Sequence, residues 1–376
     1  MQSLGLYIHI PFCRSKCHYC DFCSFPNASE RDFEDYVAAL CRDLEKRAAD
    51  CGDHRVDTVY VGGGTPTVLP WRLLEKIFDT VMRTYRVSPN AEITAECNPK
   101  TADAEKLAAM RRMGFNRLSI GMQSSHDEEL RALGRIHGFS DFCATFSAAR
   151  DAGFDNISAD LMMGIPGQTV ASYLETVDRL CALSPEHISA YGLIVEEGTP
   201  FGDMGKRLIL PTEEAEEEMY FKGIERLAAQ GYRQYEISNF AKAGYESKHN
   251  LRYWNCEDFL GFGPAAYSDF GGARFGNSRD LTAYIAGNEI VADCEHPTAN
   301  ERMNEYVMLR MRLSEGVSLI DFEARFGVSF ESVFGERLKT LNIGHLLVPS
   351  PDRIAFTPAG MRVSNAVLAE LLDFEE

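Results

Sequence analysis

The sequence predicts an α/β fold: an open (βα)6 partial TIM barrel, followed by a C-terminal α-rich, winged-helix-like domain. Three observations predict it. Short apolar segments alternate with helical patterns across roughly the first half of the chain, which calls for a parallel sheet with helical crossovers. Glycine-rich and polar features fall mainly after those segments, where parallel α/β folds carry their sites. Beyond about Gly205 the alternation stops.

The six candidate strands are LYIHI (6–10), TVYVGG (58–63), EITAEC (92–97), RLSIGM (117–122), NISADLMMG (156–164) and HISAYGLI (187–194). Each is short and rich in β-branched or apolar residues. Between them, Phe33, Tyr36, Val37, Leu40, Cys41 and Leu44 recur at helical spacing. Leu73, Leu74, Ile77, Phe78, Val81 and Met82 form a second such face. Alternation alone also allows a doubly wound sheet, because six units fall short of a closed barrel. The placement of the unusual residues favours the barrel. Four cysteines follow strand one, Gly62-Gly63-Gly64-Thr65 follows strand two, Glu96 ends strand three, Gln123 follows strand four and Asp160 lies on strand five.

These patterns divide the chain into a barrel (1–205), an extension (206–295) and a C-terminal domain (296–376). A helix from Thr212 to about Gln230 opens the extension, and its EEAEEE start reads as a solvated first turn favoured by the helix dipole. The aromatic and glycine-rich stretch after it shows little period. Helical patterns at 303–313, 319–326 and 330–341, then a Pro-containing hairpin, give the winged-helix-like expectation.

Composition narrows the function. The 376 residues include 11 cysteines, an odd number, mostly scattered singly. Disulfide-stapled secreted domains are short and evenly paired, so a reducing compartment fits better. MQSLGLYIHIPF lacks a basic n-region and an apolar h-region. No apolar run reaches the roughly 18 residues of a membrane span. These features predict a cytoplasmic protein. A net charge of −18 argues against nucleic acid as the main partner.

IPFCRSKCHYCDFCSF, Ile10 to Phe25, concentrates the chemistry. Cys13, Cys17 and Cys20 are spaced C-x3-C-x2-C, and Cys23 follows. Thiolates suit zinc and iron–sulfur clusters alike. Structural zinc wants four protein ligands in a closed tetrahedron, which these cysteines and His18 can supply. Zinc ribbons, however, use a second separated knuckle, and none is present. Three cysteines on a four-iron cubane leave one iron open to a small molecule, and C-x3-C-x2-C just after a first strand favours that arrangement.

C-x3-C-x2-C together with a strand-terminal GGGTPT resembles the radical S-adenosylmethionine (radical SAM) superfamily. The longer matches, YIHIPFC…CHYCDF and HNLRYW at 249–254, resemble the haem chaperones related to the oxygen-independent coproporphyrinogen III oxidases. The resemblance runs over nearly the whole chain. It implies a radical SAM type partial barrel, a [4Fe–4S] cluster on Cys13, Cys17 and Cys20, and S-adenosylmethionine at the open iron. It implies that Tyr7 and Tyr19 lie beside the cofactor and that Gly63, Gly64 and Thr65 meet its methionyl end. Glu96, Gln123, Arg135 and Asp160 match polar positions around it. A carboxylate suits ribose hydroxyls, and an arginine fork suits a carboxylate. Taken singly, GGGT also fits a tight turn, and the polar residues also fit structural partners of core amides or ion pairs.

Two features bear on which relative this chain resembles. The oxidases carry a fourth cysteine two residues after the third, where Phe22 stands here. Cys23 lies one residue further on, either as a silent neighbour or as a fourth cluster ligand in the cofactor's absence. HNLRYW matches the HNxxYW signature of the haem chaperones. His249 is thereby an expected haem contact, Arg252 a candidate for a propionate, and the segment an alternative brace for the cofactor loop. The resemblance implies a protein that binds haem and hands it to acceptor haemoproteins, some linked to a membrane, with dimerisation and without any need for net turnover. Radical oxidative decarboxylation of coproporphyrinogen III is the enzymatic alternative, and a zinc-stabilised interaction protein a third reading.

Overall fold

The computed structural model describes residues 2–287 and 290–372. All six expected strands are present: β1 (Ser3–Ile10), β2 (Arg55–Gly63), β3 (Val87–Cys97), β4 (Arg117–Gln123), β5 (Ile157–Met163) and β6 (His187–Gly192). Each pairs in parallel with the next. Five long helices intervene: α1 (Glu30–Arg47), α2 (Trp71–Thr84), α3 (Ala104–Met113), α4 (Phe139–Asp151) and α5 (Val170–Ala182). The α1 face buries all six residues of its helical pattern. The α2 face buries Leu74, Ile77 and Val81, whereas Met82 remains 45% exposed at the edge of the stripe.

The chain after β6 extends this sheet at both edges. Helix α6 (Glu213–Ala229) leads to β7 (Arg233–Gln234) and β8 (Asn239–Ala241), and β8 pairs antiparallel with β6. Helix α7 (Lys248–Trp254) carries HNLRYW. Strand β9 (Phe259–Phe262) then runs parallel to β1 on its outer side. Three antiparallel strands follow it: β10 (Tyr267–Phe270), β11 (Ala273–Asn277) and β12 (Val291–Glu295). The result is one twelve-stranded mixed sheet with β1 to β6 at its centre, open rather than closed on itself.

The C-terminal region has its own core, in which Val307, Met311, Phe322, Phe330 and Phe334 are buried together. Helices α8 (Ala299–Arg310), α9 (Leu319–Phe326) and α10 (Phe330–Leu341) follow one another, and Val317–Ser318, between α8 and α9, pairs antiparallel with Arg353–Ile354 beyond α10. The expected hairpin itself is closed by an antiparallel bridge between Leu347 and Phe356. No helix among the described residues is long and apolar enough to cross a membrane.

Candidate functional site

The inward-facing residues of β1 to β6 are polar, which is unusual for a buried sheet face. On β2 and β3 they form paired layers: Thr58 beside Glu92, Tyr60 beside Thr94, and Gly62 at the level of Glu96. Above these layers the strand ends and their loops enclose a cavity of about 580 Å³. Small-molecule sites usually fall between about 300 and 1,000 Å³.

Eleven of the thirteen expected site residues line this cavity: Cys13, Cys17, Tyr19, Cys20, Gly63, Gly64, Thr65, Glu96, Gln123, Arg135 and Asp160. The cysteine loop overhangs its mouth. The loop is anchored by His18, whose backbone N–H donates to the Leu133 carbonyl (3.0 Å) and whose Nδ1 lies 3.0 Å from the Ala132 carbonyl. Cys13, Cys17 and Cys20 are free thiols, each partly exposed. Burial pushes the Cys13 and Cys20 thiols above their ordinary pKa.

The N–H groups of the glycine loop are engaged within the protein. Gly63 N–H donates to Glu96 Oε2 (3.0 Å), Gly64 N–H to the Ile10 carbonyl (2.9 Å) and Thr65 N–H to the Phe12 carbonyl (2.7 Å). The last two donors therefore brace the root of the cysteine loop, and the first ties the glycine loop to the end of β3. Glycine is required by closeness: a Cβ on Gly64 would lie 2.6 Å from the Phe12 carbonyl oxygen.

A belt of hydrogen bonds ties the rim together. Cys13 Sγ lies 3.5 Å from Thr65 Oγ1, which accepts from Asn98 Nδ2 (2.8 Å). Asn98 Oδ1 in turn accepts from Arg135 Nη1 (2.9 Å), and Arg135 Nη2 donates to the Tyr19 hydroxyl (2.6 Å). Asn98 joins both halves of the belt and was not singled out from sequence, although it stands two residues past Glu96 in the same strand-end segment. Across the cavity, Glu96 accepts from the Tyr60 hydroxyl (2.9 Å) and Asp160 from Ser119 Oγ (3.1 Å). Burial raises the Glu96 carboxyl to about 7, and the nearby Asp160 adds to the shift.

Tyr7 and His249 stand outside this cavity. Tyr7 lies one ring behind it, stacked on Tyr60 at 6.2 Å. His249 is only 1% exposed. Its Nδ1 is 2.9 Å from Thr58 Oγ1, its Nε2 is 2.8 Å from the Tyr253 hydroxyl, and its backbone N–H donates to Glu92 (3.2 Å). Both ring nitrogens are thus engaged, and the imidazole closes the floor of the barrel under Tyr60. Arg252 is likewise buried, paired with Asp57 and Glu257, and is not presented to a propionate. HNLRYW thus packs beneath Tyr60, whose ring lines the cavity.

The sequence matches the radical SAM superfamily over residues 7–180 and the HemN C-terminal domain over residues 298–363. It is 39% identical to the haem chaperone HemW of Bacillus subtilis, over 97% of this chain and 98% of that one. This chain belongs to the HemW family. The HemW of Escherichia coli is 35% identical over 98% of both chains. Among solved structures, the coproporphyrinogen III oxidase HemN from Escherichia coli aligns with 100% of this chain and 91% of its own, with a TM-score of 0.87 at 24% identity. That likeness establishes the shared fold.

A radical SAM domain in a HemW chain implies a [4Fe–4S] cluster and S-adenosylmethionine, and the residues present fit both. Gln123 Oε1 and Arg135 Nε are buried without a hydrogen-bond partner beside the cavity. Such orphaned groups are costly unless a ligand meets them. Gln123 also holds φ +64°, a conformation that non-glycine residues adopt mainly where function or tight geometry demands it. Among the described residues no three Cys, His, Asp or Glu side chains converge on one point, as a single bound ion would require. A cubane gives each thiolate its own iron, so it asks only that three sulfurs face a common space.

Proposed function

We propose that this HemW-family protein binds haem and transfers it to acceptor haemoproteins, with a [4Fe–4S] cluster held by Cys13, Cys17 and Cys20. The observation that carries the reading is the three-thiol loop at the mouth of a 580 Å³ cavity with two orphaned polar atoms in its wall. When bound, the cluster and S-adenosylmethionine supply low-potential one-electron chemistry. The residues of this chain hold and orient. Arg135 Nε is placed to donate to a carboxylate, and Gln123 Oε1 to accept from an amino or hydroxyl group. Glu96 and Asp160 each retain acceptor capacity for ribose hydroxyls. The glycine loop, its N–H groups engaged, meets an amino group through carbonyls and Thr65.

Acceptor haemoproteins at a membrane, a homodimer, a cytoplasmic location and the three-part division of the chain belong to the same reading. The test is anaerobic reconstitution followed by iron and sulfide analysis, haem titration, and transfer to an apo-haemoprotein. Supporting results are about four irons per chain, loss of the cluster when the three cysteines become alanine, and haem passed on. One zinc per chain without sulfide would overturn the cluster assignment. Conversion of coproporphyrinogen III to vinyl product at enzyme-like rates would move the assignment to the oxidases.

A further inference from the structure

We propose that haem seats in a second cavity, on the far side of the cysteine loop from the cofactor cavity, and that Cys23 belongs to that site. The inference deepens the proposed haem-binding function and rests on it. The cavity measures about 350 Å³ and is walled by Phe22, Cys23, Tyr253, Phe259, Tyr267 and Arg279. It lies at the lower end of the range for small-molecule sites, and it is open. It therefore takes part of a large planar ligand and leaves an edge exposed, as a protein that must release its cargo requires.

Four observations point to a conjugated macrocycle bearing carboxylates. First, Phe22 is 67% exposed and Tyr267 is 53% exposed, so two large rings stand at the mouth with much of their surface uncovered. A flat π-surface is the partner that covers such rings. Second, Arg279 sits at the rim on the turn after β11. Its Nη2 donates to the Asp21 carbonyl (3.2 Å), which leaves other guanidinium N–H groups for a ligand carboxylate. Asp21 is the single acidic residue of the lining, so it opposes a second anionic group nearby.

Third, Cys23 lines this cavity and is absent from the lining of the cofactor cavity. Its Sγ lies 3.7 Å from the Arg279 carbonyl, a weak contact. A cysteine thiolate is an established type of haem iron ligand. Fourth, HNLRYW reaches this cavity through Tyr253, whose hydroxyl is held by His249 Nε2 at 2.8 Å. The signature thus contributes an aromatic wall, with the histidine behind it. Asp21 and Phe22 line both cavities, so the two sites share one wall.

The experiment titrates hemin into the cluster-loaded protein with S-adenosylmethionine present, comparing the native chain with Arg279→Glu, Tyr267→Ala and Cys23→Ser. The substituted Arg279 and Tyr267 are exposed, so both variants are expected to fold. The expected result is a dissociation constant raised about tenfold or more in Arg279→Glu and in Tyr267→Ala. Cys23→Ser is expected to shift the Soret band. Iron and sulfide content and S-adenosylmethionine affinity stay unchanged in all three. If the native protein binds hemin while the two surface variants match it within about twofold and the Cys23→Ser spectrum is unaltered, this site is wrong and the haem-binding function stands. If the native protein binds no hemin, the haem-binding function itself falls.

Discussion

The imidazole of His249 stacks on the ring of Tyr60, with centroids 5.3 Å apart and planes 24° from parallel. Tyr60 lines the cofactor cavity and donates its hydroxyl to Glu96, and Glu96 accepts the Gly63 N–H. A residue from helix α7, far along the chain, therefore sets the height of the groups that face the cofactor. The contact runs through a ring, a hydroxyl and a carboxylate, each held from the layer below.

His249→Ala removes two side-chain hydrogen bonds and the stack, and it leaves a void under Tyr60. Large-to-small substitutions in buried sites together with orphaned polar partners cost about 3 kcal/mol. The expected outcome is a lower melting temperature and weaker S-adenosylmethionine binding. The optical spectrum of bound hemin is expected to be unchanged. A stable variant with an altered Soret band would show instead that His249 reaches haem iron.

Gly64→Ala tests the brace between the glycine loop and the cysteine loop. The added methyl would meet the Phe12 carbonyl oxygen at 2.6 Å and the Ile10 carbonyl oxygen at 3.0 Å. Both are backbone atoms and cannot rotate away, so the Gly64 and Thr65 hydrogen bonds to that strand-end must lengthen or break. We expect a loss of about 1–3 kcal/mol, and a reconstituted iron content below that of the native protein. Native iron content and stability would mean that the loop absorbs the methyl elsewhere.

Glu236 provides a pH test away from the cluster. It is 1% exposed at the seam where β7 and its following loop meet Leu313, and it accepts from the Ser238 N–H at 3.1 Å. Burial raises its carboxyl to about 7, and the surrounding hydrogen bonds only partly oppose the shift. A raised acid holds its proton in the folded state. Its stabilisation is complete below the unfolded value, near 4.3, and is lost as pH rises through 7. Each pH unit in that window is worth about 1.4 kcal/mol, about 4 kcal/mol at most in total. Glu236→Gln is expected to match the native protein near pH 5 and to melt higher at pH 8. A difference between the two that does not change from pH 5 to pH 8 would place the titration elsewhere.

Several elements were legible because their causes are local. Strands β1 to β6 were visible as apolar segments, and the α1 face as a helical stripe that is buried in full. The pattern at 319–326 and 330–341 gives α9 and α10 to the residue, because Ser318 and Ser329 cap them and Gly327 and Asn342 end them in the left-handed region. Strand β9 was not legible. FLGF pairs in parallel with β1, some 250 residues away, and no local period announces such a partner. Tyr7 and His249 both pack on Tyr60 outside the lining of the cofactor cavity, and spacing along the chain cannot tell which face of that ring a neighbour takes. Cys23 remained open for the same reason: it follows the three cluster cysteines in sequence, yet the loop turns it into the other cavity.

Asn98 carries the last prediction, because it joins Thr65, beside Cys13, to Arg135. Its Nδ2 donates to Thr65 Oγ1 (2.8 Å), and its Oδ1 accepts from Arg135 Nη1 (2.9 Å). Alanine removes both. Thr65 then loses the donor that orients its hydroxyl toward Cys13, and Arg135 keeps its hydrogen bond to the Tyr19 hydroxyl. A hydrogen bond to a charged group is worth about 1.5–3 kcal/mol. Asn98→Ala should therefore weaken S-adenosylmethionine binding about tenfold or more, since Arg135 would swing away from its position beside Gln123 and Asp160. The cluster itself is held by thiolates, so iron and sulfide content should remain native. Asn98→Asp keeps an acceptor for Arg135 but gives Thr65 no donor, so it should recover part of the affinity. Calorimetric titration of the three proteins with S-adenosylmethionine, alongside iron analysis, decides the matter: equal affinities would mean that the belt is packing alone, and a lost cluster would mean that Asn98 supports the cysteine loop and not the cofactor.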